Sequence, residues 1–423
     1  MFSWVNQIVI SFNLCRKSLI KYSYLNKVLL CLIALATYGC VSNSANLNNN
    51  QPAIPSSASS FGLHDVTTFD VSVTNDTIHL LIGGKISAND KKISIRYLQS
   101  QDGGNTWSKP VTVANPAAII NNRGNDIQIA NHGDYLLALW QNKGELPGMG
   151  PLVSAYSTDN GNTWIKGKNP AINDAGDQSH ADIIADKSGV FYAVWLEDPE
   201  ENGYQSLRYS HSRDHGKTWG KAQTIEDSTC SCCWNTLTLS PNNAINVYYR
   251  DMKPRDMALM RFTDNGVNWR RISTVGAFGW QFDGCPHVGG ALSYADAEPN
   301  RLYSLSWTGI EGKSGLYVLA SNDNGLHWSA PVILGKQALH GDLAVIKGKA
   351  VAVWDEMTNS GSDIFYAPSD DGGKSWSAAT KLSTANGSAT HPRLAATSKG
   401  LLALWTEKSG HQLNRLYWRT IQL

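Results

Sequence analysis

Three groups of residues in this chain are of types that could do chemistry. The first is the run Tyr248-Tyr249-Arg250-Asp251, with Arg255 close behind. A phenol next to a carboxylate can act as a nucleophile, and a guanidinium fork matches an anionic ligand. The second is a set of imidazoles and acids at matching offsets. His180 precedes Asp182, His340 precedes Asp342 and His391 precedes Arg393, each by two residues, while Glu197, Glu356 and Glu407 each follow a tryptophan by two. Such groups can take up and deliver protons. The third is sulfur: Cys230-Ser-Cys232-Cys233 and Cys285-Pro-His287. Thiolates with an imidazole suit Cu(I) or Zn, whereas the same cysteines in an oxidising compartment form disulfides.

These groups lie far apart in sequence, so the fold must bring them together. The 423 residues are 42% hydrophobic and only 17% charged, with 37 glycines and 15 tryptophans. That composition excludes a disordered chain and a coiled coil. One motif recurs six times, from Ser100-Gln-Asp-Gly-Gly-Asn-Thr-Trp107 to Ser369-Asp-Asp-Gly-Gly-Lys-Ser-Trp376. Its tryptophans, 107, 164, 219, 269, 328 and 376, are spaced 48 to 59 residues apart. A fixed period of this size means repeated supersecondary units, here the blades of an all-β propeller. Within each motif glycine supplies a positive φ, Asp and Ser or Thr close a tight turn, and Trp offers an apolar plate.

Short apolar runs split by Gly, Asn and Asp precede each motif and read as strands. First strands fall at 69–73, 126–130, 182–185, 235–239, 289–293, 342–346 and 393–396, which predicts seven blades. The last lacks the motif, so the segment near His64–Thr68 is expected to supply its outer strand and close the ring. First strands begin, and second strands end, on the face opposite the Trp corners. One channel mouth is therefore expected to collect Asp70, His180, Asp182, Asn235, His340, Asp342, His391 and Arg393 with Glu197, Arg250, Asp251, Asp355, Glu356 and Glu407. Convergent titratable groups in a cavity are the default place to look for function.

The six motifs are Asp boxes, and over about Phe61 to Leu423 the chain resembles the sialidase-like (BNR repeat) β-propellers. The boxes themselves are structural. The resemblance implies a glycoside hydrolase acting on sialylated or other acidic glycans, with six blades as the alternative to seven. It implies a substrate carboxylate held by Arg123, Arg250 and Arg393, a nucleophile at Tyr249 or Tyr248, and acid/base work by Glu197, Glu356 or Asp251. His180, Asp182, His340, Asp342 and His391 would complete the substrate rim. The family's Arg-Ile-Pro start is absent, and His391-Pro-Arg393 stands where the family begins its last blade with Tyr.

Four cysteines belong to the propeller, and four allow three pairings. A bridge from Cys230, Cys232 or Cys233 to Cys285 is expected, stapling blade four to blade five. The alternatives are a Cu or Zn site of Cys230, Cys232, Cys233, Cys285 and His287, and a redox-active pair. The same segment resembles a set of bacterial sialidase-like proteins with a Cys-rich turn, a Tyr-Arg-Asp strand end and a Cys-Pro-x-x-Gly stretch. Hydrolysis itself calls for no cofactor.

Residues 1–39 read as a signal peptide: basic residues, then the apolar run Val28–Ala36, then Thr37-Tyr-Gly39. The Gly39-Cys40 junction resembles a bacterial lipoprotein cleavage site, which implies lipid on Cys40. Residues 40–60 read as a flexible tether and 61–423 as one domain. The resulting expectation is an exported protein held to a bacterial membrane by its lipid alone, on the outer membrane or facing the periplasm. The first 39 residues hold four basic residues and no acid, so a formal +1 for the chain becomes −3 without them. That balance excludes nucleic acid as a partner. A glycan or small molecule at the mouth is the expected ligand. A non-catalytic glycan- or protein-binding lipoprotein and a metal or redox protein stand as the other readings.

Overall fold

The computed structural model describes residues 56–117, 127–143, 150–173, 177–198, 205–263, 268–384, 387–409 and 412–423. The leader with Cys40, and Arg123 in the second blade, lie outside the described residues. The described chain forms seven four-stranded antiparallel sheets. Their inner strands are Asp65–Thr74, Ile127–His132, Ser179–Ala185, Thr236–Leu239, Ala291–Tyr294, Ala338–Ile346 and Gly387–Thr397. Each inner strand lies beside the next, and the last lies beside the first, so seven blades close around a central channel.

Closure uses the N-terminal segment, but not the stretch expected. Ser57–Ser59 pairs with Arg415–Ile421 as the outer strand of blade seven, Ser59 opposite Leu416. His64 stands just before the inner strand of blade one, which contains Asp65–Thr68. An outer strand of Ser-Ala-Ser is held by backbone pairing, so its side chains give no pattern to read. The boundary drawn at residue 60 therefore moves back to include Ser57.

Apolar layers fill the junctions between blades. Between blades seven and one, Phe69, Leu80 and Leu98 meet Leu402 and Leu404. Between blades three and four, Val194 and Leu207 meet Val247 and Tyr249. The tryptophans of the corners wedge into these layers, as Trp107 does against Trp418. In each regular corner one carboxylate organises the turn. Asp159 accepts the Ser157 hydroxyl at 2.8 Å, the Thr163 amide at 2.9 Å and the Thr163 hydroxyl at 2.6 Å. Gly161 (φ 83°) sits against the Tyr97 ring of the previous blade, where a Cβ would come within 2.0 Å of it. The corners lie on the face opposite the starts of the inner strands, which leaves that other face to build a site.

Candidate functional site

The polar residues of the channel sort into a waist and a mouth. At the waist, Arg393 reaches Asp70, Nε to Oδ1 at 3.7 Å. Asp70, Asp182 and Asp342 each accept an amide from the following blade: Ile129 at 2.8 Å, Leu237 at 2.6 Å and Leu394 at 2.9 Å. These carboxylates staple neighbouring inner strands. Burial raises Asp70 to about 6 against the opposing charge of Arg393. It raises Asp182 to about 7, with the Leu237 amide opposing. Burial also raises Asp342. Burial works against the charge of Arg393, but Asp70, Asp342 and Asp182 outweigh it and hold the guanidinium above its usual value. Asp70, Asp182 and Asp342 are thus each engaged by a backbone amide, with the Arg393 charge among them.

The expected nucleophile and acid/base groups lie between blades instead of in the channel. Tyr248 is fully buried, with its hydroxyl 2.5 Å from Ser306 Oγ. Tyr249 is fully buried on the opposite face of the strand, donating to Glu226 at 3.0 Å and accepting from Arg271 at 3.2 Å. Burial pushes both phenols up. Arg250 spends its guanidinium on three backbone carbonyls, those of Val288, Arg255 and Trp307. Burial lowers it to about 10. Asp251 is paired with Arg271 at 2.6 Å.

The glutamates serve the tryptophans two residues before them. Trp195 donates to Glu197 at 2.9 Å, Trp354 to Glu356 at 3.0 Å and Trp405 to Glu407 at 2.7 Å. Residues i and i+2 of a strand share a face, so each carboxylate satisfies an indole in the layer between blades. Among the described residues the tyrosine, carboxylate and arginine set of the sialidase reading is therefore not brought together.

What does come together at the mouth is histidine. His180 and His391 hold left-handed backbone, φ 51° and 52°, where irregular pairing begins their inner strands. His340 occupies the matching bulge of blade six. The rings of His340 and His391 stack with centroids 3.9 Å apart. The Trp234 ring lies edge-on to His180, His340 and His391 at 5.2, 6.3 and 5.9 Å. Burial, then the nearby His287, lowers His180 to about 4, so that ring is neutral at pH 7.

One buried carboxylate organises the stacked pair. Asp355 accepts His340 Nδ1 at 2.9 Å and its amide at 2.9 Å, the Thr390 hydroxyl at 2.7 Å and the His391 amide at 3.0 Å. Burial alone would raise this acid; the His340 charge and hydrogen bond outweigh it and hold it well below the usual carboxylate range. An ionised carboxylate only accepts, so His340 carries its proton on Nδ1. Thr390 spends its one hydroxyl proton on Asp355, so it must accept from His391 Nδ1, 2.7 Å away. In the neutral form of either imidazole the lone pair therefore lies on Nε2.

Asp355 was expected at the mouth but given no catalytic or binding role there, and Trp234 was not expected at all. A signal for Asp355 existed: on the face opposite the Trp-x-Glu pair, blade three has Leu196 and blade seven has Thr406, whereas blade six has an acid.

Beside the mouth lies the sulfur cluster. Cys230 and Cys233 form a disulfide within one turn, in place of the expected bridge to Cys285. Cys232 and Cys285 are free thiols, the first buried and the second exposed. Burial, then a hydrogen bond with Cys285, pushes the Cys232 thiol up to about 12. A groove of about 830 Å³ between blades two and three is lined by residues that include Lys166, Lys168, Asn169 and Trp219. A channel cavity of about 480 Å³ lies on the corner side of the waist.

The seven-bladed ring is a propeller of the sialidase-like superfamily. The BNR repeat-like domain matches residues 66–282, and the chain belongs to that family. An ulvan lyase, a polysaccharide lyase bound to a GlcA(1-4)Rha3S ligand, is similar in structure. Its TM-score is 0.57 at 12% identity, over 86% of this chain and 96% of that one. Trypanosoma rangeli sialidase has a TM-score of 0.51 at 14% identity, over 87% of this chain and 60% of the sialidase. At these identities the likeness is one of fold. No curated protein matches the chain.

Proposed function

We propose that this chain is a carbohydrate-directed propeller that works at its histidine mouth by proton transfer, without the tyrosine nucleophile of a sialidase. The observation that carries this is the sharing of Asp355: both His340 and His391 turn Nδ1–H toward it, directly or through Thr390. A histidine oriented by a buried carboxylate is a general base on its other nitrogen. His180 and His340, the half-buried members of the cluster, then form the contact surface for a sugar, with Trp234 and His391 buried behind them. The polysaccharide ligand of the ulvan lyase supports this choice of substrate class.

Export belongs to the same proposal, with a lipid on Cys40 and the segment after it as a stand-off. The test is incubation of the purified chain with sialosides, uronate-containing polysaccharides and neutral polysaccharides. Chain shortening of a non-sialylated substrate supports the proposal. Release of sialic acid overturns it. Saturable binding without cleavage removes the proton-transfer step and leaves a binding protein.

A further inference from the structure

We propose that Cys232, Cys285 and His287 bind one thiophilic d10 cation, Cu(I) or Zn(II), at the junction of blades four and five. Their ligand atoms all lie within 4.8 Å of one another. Metal bonds of ~2.3 Å to sulfur and ~2.0 Å to nitrogen place three ligands ~3.5–4 Å apart in trigonal or tetrahedral geometry. Side-chain movements of at most about an ångström therefore close the set around an ion. Two thiolates and an imidazole are a soft donor set.

The site draws its ligands from two blades, and the chain has built a clamp that holds those blades in place. Cys232 belongs to the turn that leads into the inner strand of blade four. Cys285 and His287 belong to the irregular segment that leads into the inner strand of blade five. Arg250 donates to Val288 O at 3.1 Å, and Arg255 donates to Phe282 O at 2.6 Å and to Cys230 Sγ at 3.2 Å. Asp256 accepts the amides of Gly279 at 2.7 Å and Trp280 at 3.3 Å. Gly289 presses on the carbonyl of Trp234, where a Cβ would stand 2.7 Å from that oxygen. These contacts fix the segment at both ends of Cys285–His287. Preorganisation of this kind is what a ligand set requires.

The disulfide sharpens the assignment. Cys230 and Cys233 are committed to each other, and Cys232 Sγ stays 3.8 Å from Cys230 Sγ. Among the described residues two thiols remain, and they are the two beside His287. His287 holds left-handed backbone at φ 54°, an uncommon state for a non-glycine residue. Cys285 and His287 are exposed, which leaves an entry path and an open coordination position. On binding, each coordinating thiol loses its proton to solvent and no redox change occurs. The other compact set, His340, Asp355 and His391, is a poorer ligand group, because Asp355 already accepts four hydrogen bonds.

The test uses the full propeller, purified without a metal-affinity tag and under air. Thiol titration of the metal-free propeller unfolded in denaturant should give two free cysteines; in the native protein Cys285 should react, and loading with Zn(II) alone or with Cu(I) kept reduced by ascorbate should protect it. One ion should bind per chain, with competition against a chromophoric chelator giving the affinity. Cys285→Ala and His287→Ala should each weaken it by at least about 100-fold. Both positions are exposed, so their melting curves should stay close to wild type, and His340→Ala should leave the affinity unchanged. Three results would overturn the proposal: no stoichiometric binding of either ion, affinity unmoved by both variants, or no free thiol in the native protein, the last meaning a Cys232–Cys285 disulfide.

Discussion

His340 Nδ1 lies 2.9 Å from Asp355 Oδ2, and the same oxygen takes the Thr390 hydroxyl that receives His391. One carboxylate thus sets the tautomer of two stacked imidazoles on adjacent blades. Asp355→Asn keeps the volume but places a donor or a weaker acceptor against these groups. The expected cost is about 1–3 kcal/mol of stability at neutral pH. Because the folded-state pKa of Asp355 is depressed, its contribution is present above the unfolded value of ~3.9 and is lost as pH falls below that. Denaturant midpoints should therefore fall more steeply on acidification in wild type than in Asp355→Asn.

The waist has the opposite sign. Asp182 is raised to about 7 and Asp70 to about 6. Between pH ~4 and these values the folded chain holds protons that the unfolded chain has lost. The contribution is fully present below pH ~4 and is lost as pH rises through about 7. Melting temperature should fall across this window, and Asp182→Asn should flatten the fall. Asn cannot accept both the Ile183 and Leu237 amides that Asp182 accepts, so the variant should also lose about 1–3 kcal/mol at pH ~5.

Tyr249 separates the two chemical readings of the mouth. Its hydroxyl is bound to Glu226 and Arg271 in the layer between blades. Tyr249→Phe should cost about 1 kcal/mol of stability and leave any turnover unchanged. A sialidase-type nucleophile at this position would lose all covalent turnover instead.

Cys40 can be tested without coordinates. If it carries lipid, the intact chain should enter the detergent phase on partitioning and Cys40→Ser should stay in the aqueous phase. Aqueous behaviour of the unaltered mature protein would remove the anchor from the proposal.

The blades were legible because their corners are local. Ser157, Asp159, Gly161 and Thr163 bond to one another within seven residues, so turn chemistry alone reveals them. Ser57–Ser59 was not legible, since it contributes backbone to a distant edge. The channel phase put His180, His340 and His391 on one rim, and their rings do lie together around Trp234, because a two-residue offset before a strand start is a geometric statement. Glu197, Glu356 and Glu407 were misplaced although strand alternation already put each beneath its own tryptophan. Arg250 could not be read, because its partners are carbonyls of blade five, with no side chain to mark them. The pairing of Cys230 with Cys233 was one of three open arrangements, and only the path of the turn decides among them.

The most direct test compares His340→Gln with Tyr249→Phe on the best polysaccharide substrate of the wild-type chain. The histidine-mouth account predicts that His340→Gln loses at least about 100-fold in turnover while Tyr249→Phe retains it. Loss confined to Tyr249→Phe, with His340→Gln fully active, would contradict it.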